Sequence, residues 1–219
     1  MEIKIKDIQG LLNDFEDEPT GDHFLDSRYD PNSKYYRFFY QLTKRFKPKT
    51  LVELGSWQGT SAAYFAGGWK GTKVITVDHH TDPGDQENKQ LTQIAENYFN
   101  NLVYCQGWTC DAIFKEEEYN HSRKGENAYP KVLKALNEQT IDVLFIDSWH
   151  VYHQAKRDWE AYSPLLSKNA LVIVDDCIQG TPGSAIDGVR QFFDELPGDK
   201  MLIDSLHNNY PMGFVVCNS

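Results

Sequence analysis

The segment Leu51–Ser61, which reads LVELGSWQGTS, constrains the fold of this chain more than any other part of it. It combines an apolar strand, a Gly-x-x-x-Gly turn and the start of a helix. Gly55 and Gly59 suit this turn because side chains at those positions would block a ligand from approaching the backbone. A second apolar run, Val74–Val77, ends on Asp78, whose carboxylate can accept hydrogen bonds from the two hydroxyls of a ribose. Together these features predict half of a nucleotide-type site, with an adenosine-containing cofactor above the carboxyl ends of a parallel sheet.

Apolar strands alternate with helical patterns along the rest of the chain. Five strands are predicted before the last helix: Thr50–Leu54, Lys73–Val77, Leu102–Cys105, Asp142–Ile146 and Leu171–Val174. Two closing strands, Met201–Ile203 and Gly213–Val216, follow without a helix between them, which predicts an antiparallel hairpin at one edge. The pattern predicts an α/β fold with a doubly wound, mainly parallel seven-stranded sheet and helices on both faces.

The chain shows no internal repeat and no low-complexity linker, so we expect one domain over residues 1–219. Within it we expect a core over 33–219 and an N-terminal cap segment over 1–32. Aromatic and apolar residues at helical spacing between Tyr35 and Phe46 predict a helix that opens the core. Ser184 and Asp187 resemble a capping box and predict the start of the last helix.

Charge and cysteine usage narrow the classes of partner and compartment. The formal net charge is −10 at pH 7, which disfavours nucleic acids and anionic membrane surfaces because both repel an acidic protein. No apolar run is long enough to span a bilayer, and the opening Met1–Lys4 does not resemble a signal peptide. The four cysteines form no Cys-x-x-Cys pair, so we expect free thiols in a reducing cytoplasm.

Acidic residues stand where two predicted strands end. Asp147 follows the fourth strand, and Asp175 and Asp176 follow the fifth. Since these strands should be neighbours, three carboxylates would crowd one edge of the sheet, and their repulsion would be relieved by a divalent cation. Oxygen ligands suit Mg²⁺, Mn²⁺ or Ca²⁺. In the alternative interpretation, one acid caps a helix and another points to solvent.

Other polar and aromatic residues lie beside these strand ends. His150 is a candidate general base because its ordinary pKa of about 6.5 suits proton removal near neutrality; otherwise it is an exposed residue in the first turn of a helix. His79 and His80 are expected to shape the cofactor pocket. Trp57 and Trp108 are candidates to stack on adenine unless they pack in the core. Asp111 either contacts the adenine amino group or forms the N-cap of the next helix.

The segment Glu53–Ser61 resembles the first motif, E-x-G-x-x-x-G-x-S, of class I S-adenosylmethionine-dependent methyltransferases. Asp78 falls where that family holds the ribose, and the closing hairpin fits its Rossmann-like methyltransferase fold. The resemblance covers about Tyr35 to Val216. Together, the residue patterns and the resemblance assign these cofactor-binding residues: Glu53, Gly55, Ser56, Gly59, Ser61, Asp78, His79, Trp108, Asp111 and Asp147.

A narrower likeness lies in Phe145–Tyr152, followed by Asp158 and by Val174–Asp176. These segments are similar to metal-dependent small-molecule O-methyltransferases, especially those acting on macrolide sugars. The resemblance implies that Asp147, Asp175 and Asp176 bind Mg²⁺, that His150 takes the acceptor proton and that the acceptor is a hydroxylated small molecule. Ser148 and Trp149 depart from the Gly and Asp of many relatives, and Asp176 departs from the Asn of catechol-type enzymes.

Three other functions remain as alternatives at this stage. A nicotinamide-dependent oxidoreductase would carry G-x-G-x-x-G, but Trp57 occupies the position of the middle glycine. A nucleic-acid methyltransferase would carry an Asn/Asp-Pro-Pro-aromatic motif where this chain has Asp147–His150. The third alternative is a cofactor-binding or scaffold protein without catalysis. Enzymes of the resembling type often form homodimers, which is an expectation that no residue of this chain demonstrates.

Overall fold

A seven-stranded mixed sheet organises the computed structural model, which describes residues 3–15, 19–27, 34–80, 83–110, 126–180, 188–207 and 210–217. The strands are β1 (Thr50–Leu54), β2 (Lys73–Asp78), β3 (Leu102–Gln106), β4 (Ile141–Ile146), β5 (Leu166–Val174), β6 (Asp199–His207) and β7 (Tyr210–Cys217). Their spatial order is β3-β2-β1-β4-β5-β7-β6. The pairs β3–β2, β2–β1, β1–β4 and β4–β5 are parallel, whereas β7 runs antiparallel to both β5 and β6. This topology confirms the predicted fold, including the closing hairpin.

Helices cover both faces of the sheet. Those described are α1 (Ile5–Asn13), α2 (His23–Ser27), α3 (Tyr35–Phe46), α4 (Thr60–Gly68), α5 (Gln86–Tyr98), α6 (Tyr129–Leu136), α7 (Tyr152–Tyr162) and α8 (Val189–Glu195). Apolar residues of α1 to α5 form one core cluster, and those of α6 to α8 form the other. All five residues of β1 are buried because the sheet is covered on both faces at its centre.

The strand order places the candidate site. It reverses between β1 and β4, and ligands of such sheets bind beyond the carboxyl ends of the strands at this switch point. The residues that follow β1, β2, β4 and β5 therefore meet at one edge. Among the described residues, none of the helices combines the length and apolar character needed to cross a membrane.

Several boundaries differ from the predicted ones. The sequence pattern assigned no helix to the cap segment, yet α1 and α2 lie there. Helix α1 does carry an apolar period, with Ile8 and Leu11 buried one turn apart, and the sequence analysis missed it. Helix α2 has only five residues, which is too short for a period to show. Strand β5 begins at Leu166 instead of Leu171, because its first residues are partly exposed and break the apolar run. Helix α8 begins after Gly188, and the predicted capping box lies outside the described residues.

Candidate active site

The glycine turn that follows β1 packs directly against the end of β4. Gly55 has a φ of 96°, and a Cβ atom there would collide with the backbone carbonyl of Asp147. Gly59 has a φ of 69° and forms the N-cap of α4; a Cβ there would lie 2.9 Å from Cα of Thr92 in α5. The turn therefore needs glycine at both positions because side chains there would collide with the end of β4 and with α5. We had expected the glycines to leave space for a ligand instead.

Asp78 holds the glycine turn from the end of β2. Its Oδ2 accepts hydrogen bonds from the backbone N–H groups of Ser56 (2.9 Å) and Trp57 (2.7 Å). No described residue donates to Oδ1, and the side chain is 15% exposed, so this oxygen is available for the predicted ribose contact. Ser56 Oγ is buried and has no hydrogen-bond partner within the described parts of the chain. Both oxygens thus suit the predicted cofactor.

Trp57 combines a strained backbone with an exposed indole. Its φ is 42°, and the residue is 64% exposed, so the indole does not pack in the core. Its carbonyl accepts hydrogen bonds from His80 Nε2 (2.6 Å) and Thr92 Oγ1 (3.2 Å). In a neutral His80, Nε2 carries the proton, so Nδ1 accepts from the Tyr104 hydroxyl at 2.6 Å. The sequence assigned His80, with His79, to the cofactor pocket, and the structure places it under the turn as a support of the Trp57 carbonyl.

His79 and Trp108 lie against each other beside the turn. Their ring centroids are 4.3 Å apart with an interplanar angle of 34°. The backbone N–H of Gly107 donates to the carbonyl of Asp78, which keeps the loop after β3 next to the end of β2. The two predicted pocket residues are therefore brought together, whereas Asp111 lies outside the described residues.

Glu53 is buried beneath the turn and has no exposed surface. Its Oε2 accepts a hydrogen bond from Thr76 Oγ1 at 2.5 Å. Burial raises the pKa of Glu53 to about 8, although hydrogen bonds from Ser61 and Thr76 oppose the shift. Glu53 is thus mostly protonated at neutral pH, and its hydrogen bond with Thr76 joins β1 to β2. Direct contact with the cofactor would require movement of the residues that cover it.

The three predicted acids follow adjacent strands, as expected. Asp147 follows β4, while Asp175 and Asp176 follow β5, and the two strands pair in parallel up to Ile146 and Val174. His150 links two of the acids, because Nε2 lies 3.2 Å from Asp147 Oδ1 and Nδ1 lies 2.8 Å from Asp176 Oδ2. Tyr35 of α3 donates from its hydroxyl to Asp175 Oδ2 at 3.0 Å. Sequence reasoning missed Tyr35, whose only signal was its place in an aromatic helical stripe.

Burial and mutual contact shift the pKa values of these groups. Burial raises the pKa of Asp175 well above its usual range, and the charges of Asp147 and Asp176 raise it further. Burial also raises the pKa of Asp147, while its hydrogen bond with His150 opposes this. For His150, burial lowers the pKa, but hydrogen bonds to Asp147 and Asp176 raise it to about 10. In this arrangement the imidazole is a cation and cannot accept a proton.

The donor chemistry of the acids fits a divalent cation, although the arrangement is not that of a formed metal site. Carboxylate oxygens are the ligands that Mg²⁺ prefers. Asp176 has a φ of 49°, and its Oδ1 is buried without a hydrogen-bond partner in the described chain. Across the described ranges, however, no group of three His, Cys, Asp or Glu side chains is arranged to hold a metal ion. The imidazolium of His150 supplies the positive charge between Asp147 and Asp176.

Comparison with known families assigns the chain to a class. A family model described as "Methyltransferase domain" matches residues 52–177, which is more than half of the chain. This range runs from within β1 to the residue after Asp176, so it contains the glycine turn and all three acids. The chain belongs to this methyltransferase-domain family, as the sequence motifs predicted.

Individual relatives are distant. The uncharacterized protein y4gI of Sinorhizobium fredii (strain NBRC 101917 / NGR234) is 27% identical over 176 residues, covering 77% of this chain and 17% of that protein. The chain thus spans about a sixth of the length of that relative. Cofactor-bound Rv0187 from MTB matches with a TM-score of 0.64 and 15% identity over 100% of both chains. An O-methyltransferase from Bacillus cereus in complex with SAH matches with a TM-score of 0.58 and 15% identity, covering 98% of this chain and 92% of that one. The structural matches establish the fold.

Proposed function

We propose that this protein is an S-adenosylmethionine-dependent O-methyltransferase that acts, with a divalent metal such as Mg²⁺, on a hydroxyl of a small molecule such as a sugar or natural product. One observation carries the proposal: the glycine turn touches the backbone of Asp147, so the candidate cofactor turn and the acid cluster form one site. Family membership and the fold shared with an SAH-bound O-methyltransferase support it. The net charge of −10 supports a small-molecule acceptor over a nucleic acid.

The cofactor is assigned to the edge of the sheet formed by β1, β2 and β3. Asp78 Oδ1 accepts hydrogen bonds from the ribose, and Ser56 Oγ bonds to the cofactor from within the turn. His79 and Trp108 border the adenine. Bound S-adenosylmethionine supplies a methyl group already activated by its sulfonium, so the main task of the protein is to position the two reactants.

The acceptor is assigned to the acids that follow β4 and β5. Asp147, Asp175 and Asp176 would hold the metal, which supplies a Lewis acid that lowers the pKa of the acceptor hydroxyl. His150 Nε2 is the atom that takes the acceptor proton. It can do so only after its hydrogen bonds to Asp147 and Asp176 weaken, because these bonds keep the imidazole protonated.

Calorimetry tests the cofactor and the metal separately. We expect S-adenosylmethionine to bind the purified protein, and Mg²⁺ to give a heat that is lost in Asp175→Ala and in the presence of EDTA. Asp194→Ala removes an exposed carboxylate on α8 and serves as the control, which should retain the Mg²⁺ heat. Absence of cofactor binding with and without Mg²⁺ would refute the methyltransferase proposal. Cofactor binding without a Mg²⁺ heat would refute only the metal.

Methyl transfer tests the catalytic assignment. Hydroxylated small molecules are screened with S-adenosylmethionine carrying a labelled methyl group. Asp147→Ala should abolish transfer and leave cofactor affinity within about threefold, because the turn is held mainly by Asp78. Full transfer by Asp147→Ala would contradict the metal-dependent mechanism. A protein that binds cofactor but transfers no methyl group to any acceptor would support the binding or scaffold alternative.

A further inference from the structure

A buried polar cluster joins α7 to the loops that follow β3 and β4. Its centre is Asp158 of α7, which has no exposed surface. Asp158 Oδ2 accepts a hydrogen bond from Ser148 Oγ at 2.5 Å. Its Oδ1 accepts hydrogen bonds from Thr109 Oγ1 at 2.5 Å and from Gln154 Nε2 at 3.0 Å. One carboxylate therefore binds side chains from two different loops.

Helix α7 holds the loop after β3 at further points. Gln154 Nε2 also lies 3.0 Å from Thr109 Oγ1, and the hydroxyl of Tyr162 donates to the backbone carbonyl of Thr109 at 2.6 Å. Thr109 directly follows Trp108, which borders the proposed adenine site. The position of this indole thus depends on the contacts of its neighbour with α7.

The second loop carries the acid and the histidine of the proposed acceptor site. Ser148 directly follows Asp147 and precedes His150 by two residues. Because Asp158 binds Ser148 through one oxygen and Thr109 through the other, its carboxylate spans the distance between the two halves of the site.

Burial of this carboxylate is unfavourable for folding. Burial raises the pKa of Asp158 to about 6, despite hydrogen bonds from donors that include Ser148 and Thr109. An apolar residue of similar size would avoid this cost, because a buried charge is a poor source of stability. The polar cluster is therefore better explained by the geometry that it imposes on the loops.

We propose that Asp158 is a positioning residue whose carboxylate ties the loop 107–110 to the loop 147–151 and so fixes the proposed cofactor site relative to the acids. This inference rests on the proposed function. Asp158 touches neither reactant, because its side chain is covered on all sides. Its effect on the ligand passes through Thr109 and Ser148.

The test compares two substitutions of similar size. In Asp158→Asn, Oδ1 still accepts from Thr109 and Gln154, and the new amide donates to Ser148 Oγ, which can accept. In Asp158→Leu, none of these bonds forms. By calorimetry with S-adenosylhomocysteine, we expect Asp158→Leu to weaken binding at least about tenfold and Asp158→Asn to stay within about threefold of the wild type. Unchanged affinity in Asp158→Leu, or an equal loss in both variants, would overturn the positioning role.

A matched control lies at the opposite end of β4. Asp142 is also buried and accepts hydrogen bonds from the backbone N–H of Lys49 (2.7 Å) and from Ser167 Oγ (2.9 Å). It precedes Asp147 by five residues, or roughly 16 Å along a strand. Asp142→Leu should lower the melting temperature but leave the affinity for S-adenosylhomocysteine unchanged. An equal loss of affinity in Asp142→Leu and Asp158→Leu would show a general effect on folding and overturn the inference.

Single-hydroxyl variants keep the test decisive if Asp158→Leu does not fold. Thr109→Val and Ser167→Ala each remove one donor from a buried carboxylate, and only the first should weaken binding, by about threefold or more. Equal affinities in these two variants would overturn the positioning role. If the wild type itself does not bind S-adenosylhomocysteine, the proposed function fails first. If it binds and Thr109→Val binds equally, only the positioning role fails.

Discussion

Replacing Glu53 by glutamine should stabilise the protein at neutral pH and flatten the pH dependence of its unfolding. Glu53 is fully buried at the end of β1, and burial raises its pKa to about 8. Glutamine resembles the protonated acid, because its amide oxygen can still accept the hydrogen bond from Thr76 Oγ1. The substitution therefore removes the ionisation of this side chain and keeps its shape.

The magnitude follows from proton linkage. The unfolded carboxyl titrates near 4.5 and the folded one near 8, so between these values the folded state binds more protons than the unfolded state. The contribution of Glu53 to stability is fully present below pH 4.5 and is lost as the pH rises towards 8. At about 1.4 kcal/mol per pH unit, the loss at pH 7 is on the order of 3 kcal/mol. Glu53→Gln should regain most of it.

Urea unfolding at pH 5, 6, 7 and 8, followed by tryptophan fluorescence, measures this difference. The advantage of Glu53→Gln over the wild type should increase with each step in pH. Glu160→Gln makes the same chemical change at an exposed position of α7 and should track the wild type at every pH. Parallel curves of free energy against pH for Glu53→Gln and the wild type would refute the reasoning.

Two further substitutions test contacts that position the site. Gly55→Ala should destabilise the protein by more than about 3 kcal/mol, because its Cβ collides with the backbone that follows β4. The control Gly21→Ala has a φ of 78° and no atom within 4 Å of the new Cβ, so it should cost only about 1 kcal/mol of backbone strain. If thermal denaturation shows equal losses of stability in Gly55→Ala and Gly21→Ala, the collision is not the cause. Tyr35→Phe should weaken Mn²⁺ binding about tenfold in calorimetry by removing the hydroxyl that orients Asp175. As a control, Tyr64→Phe removes a buried hydroxyl that donates to a backbone carbonyl, and it should leave the Mn²⁺ affinity unchanged. Equal Mn²⁺ affinities in the two variants would disprove that Tyr35 orients Asp175 for the metal.

Local sequence determined the architecture and the position of the glycine turn. A short apolar run that ends at a glycine indicates a buried strand without any information from the rest of the chain. For this reason β1 was predicted with the bounds that it has in the structure. The closing hairpin followed from two strands with a turn-rich segment, and no helix, predicted between them. The acids were assigned to one edge because parallel strands align their carboxyl ends.

Tertiary structure decided which side chains meet and what charge they carry. Tyr35 and Asp175 are 140 positions apart, and no periodic pattern encodes their hydrogen bond. The bridging position of His150, and with it the cationic imidazole, depends on how the ends of β4 and β5 are packed. The same holds for Gly55. The turn explained why a glycine stands there, but only the fold shows that the backbone of Asp147, after β4, leaves no space for a side chain. Periodicity shows which face of an element is buried, whereas the partner on that face is set only when distant elements pack together.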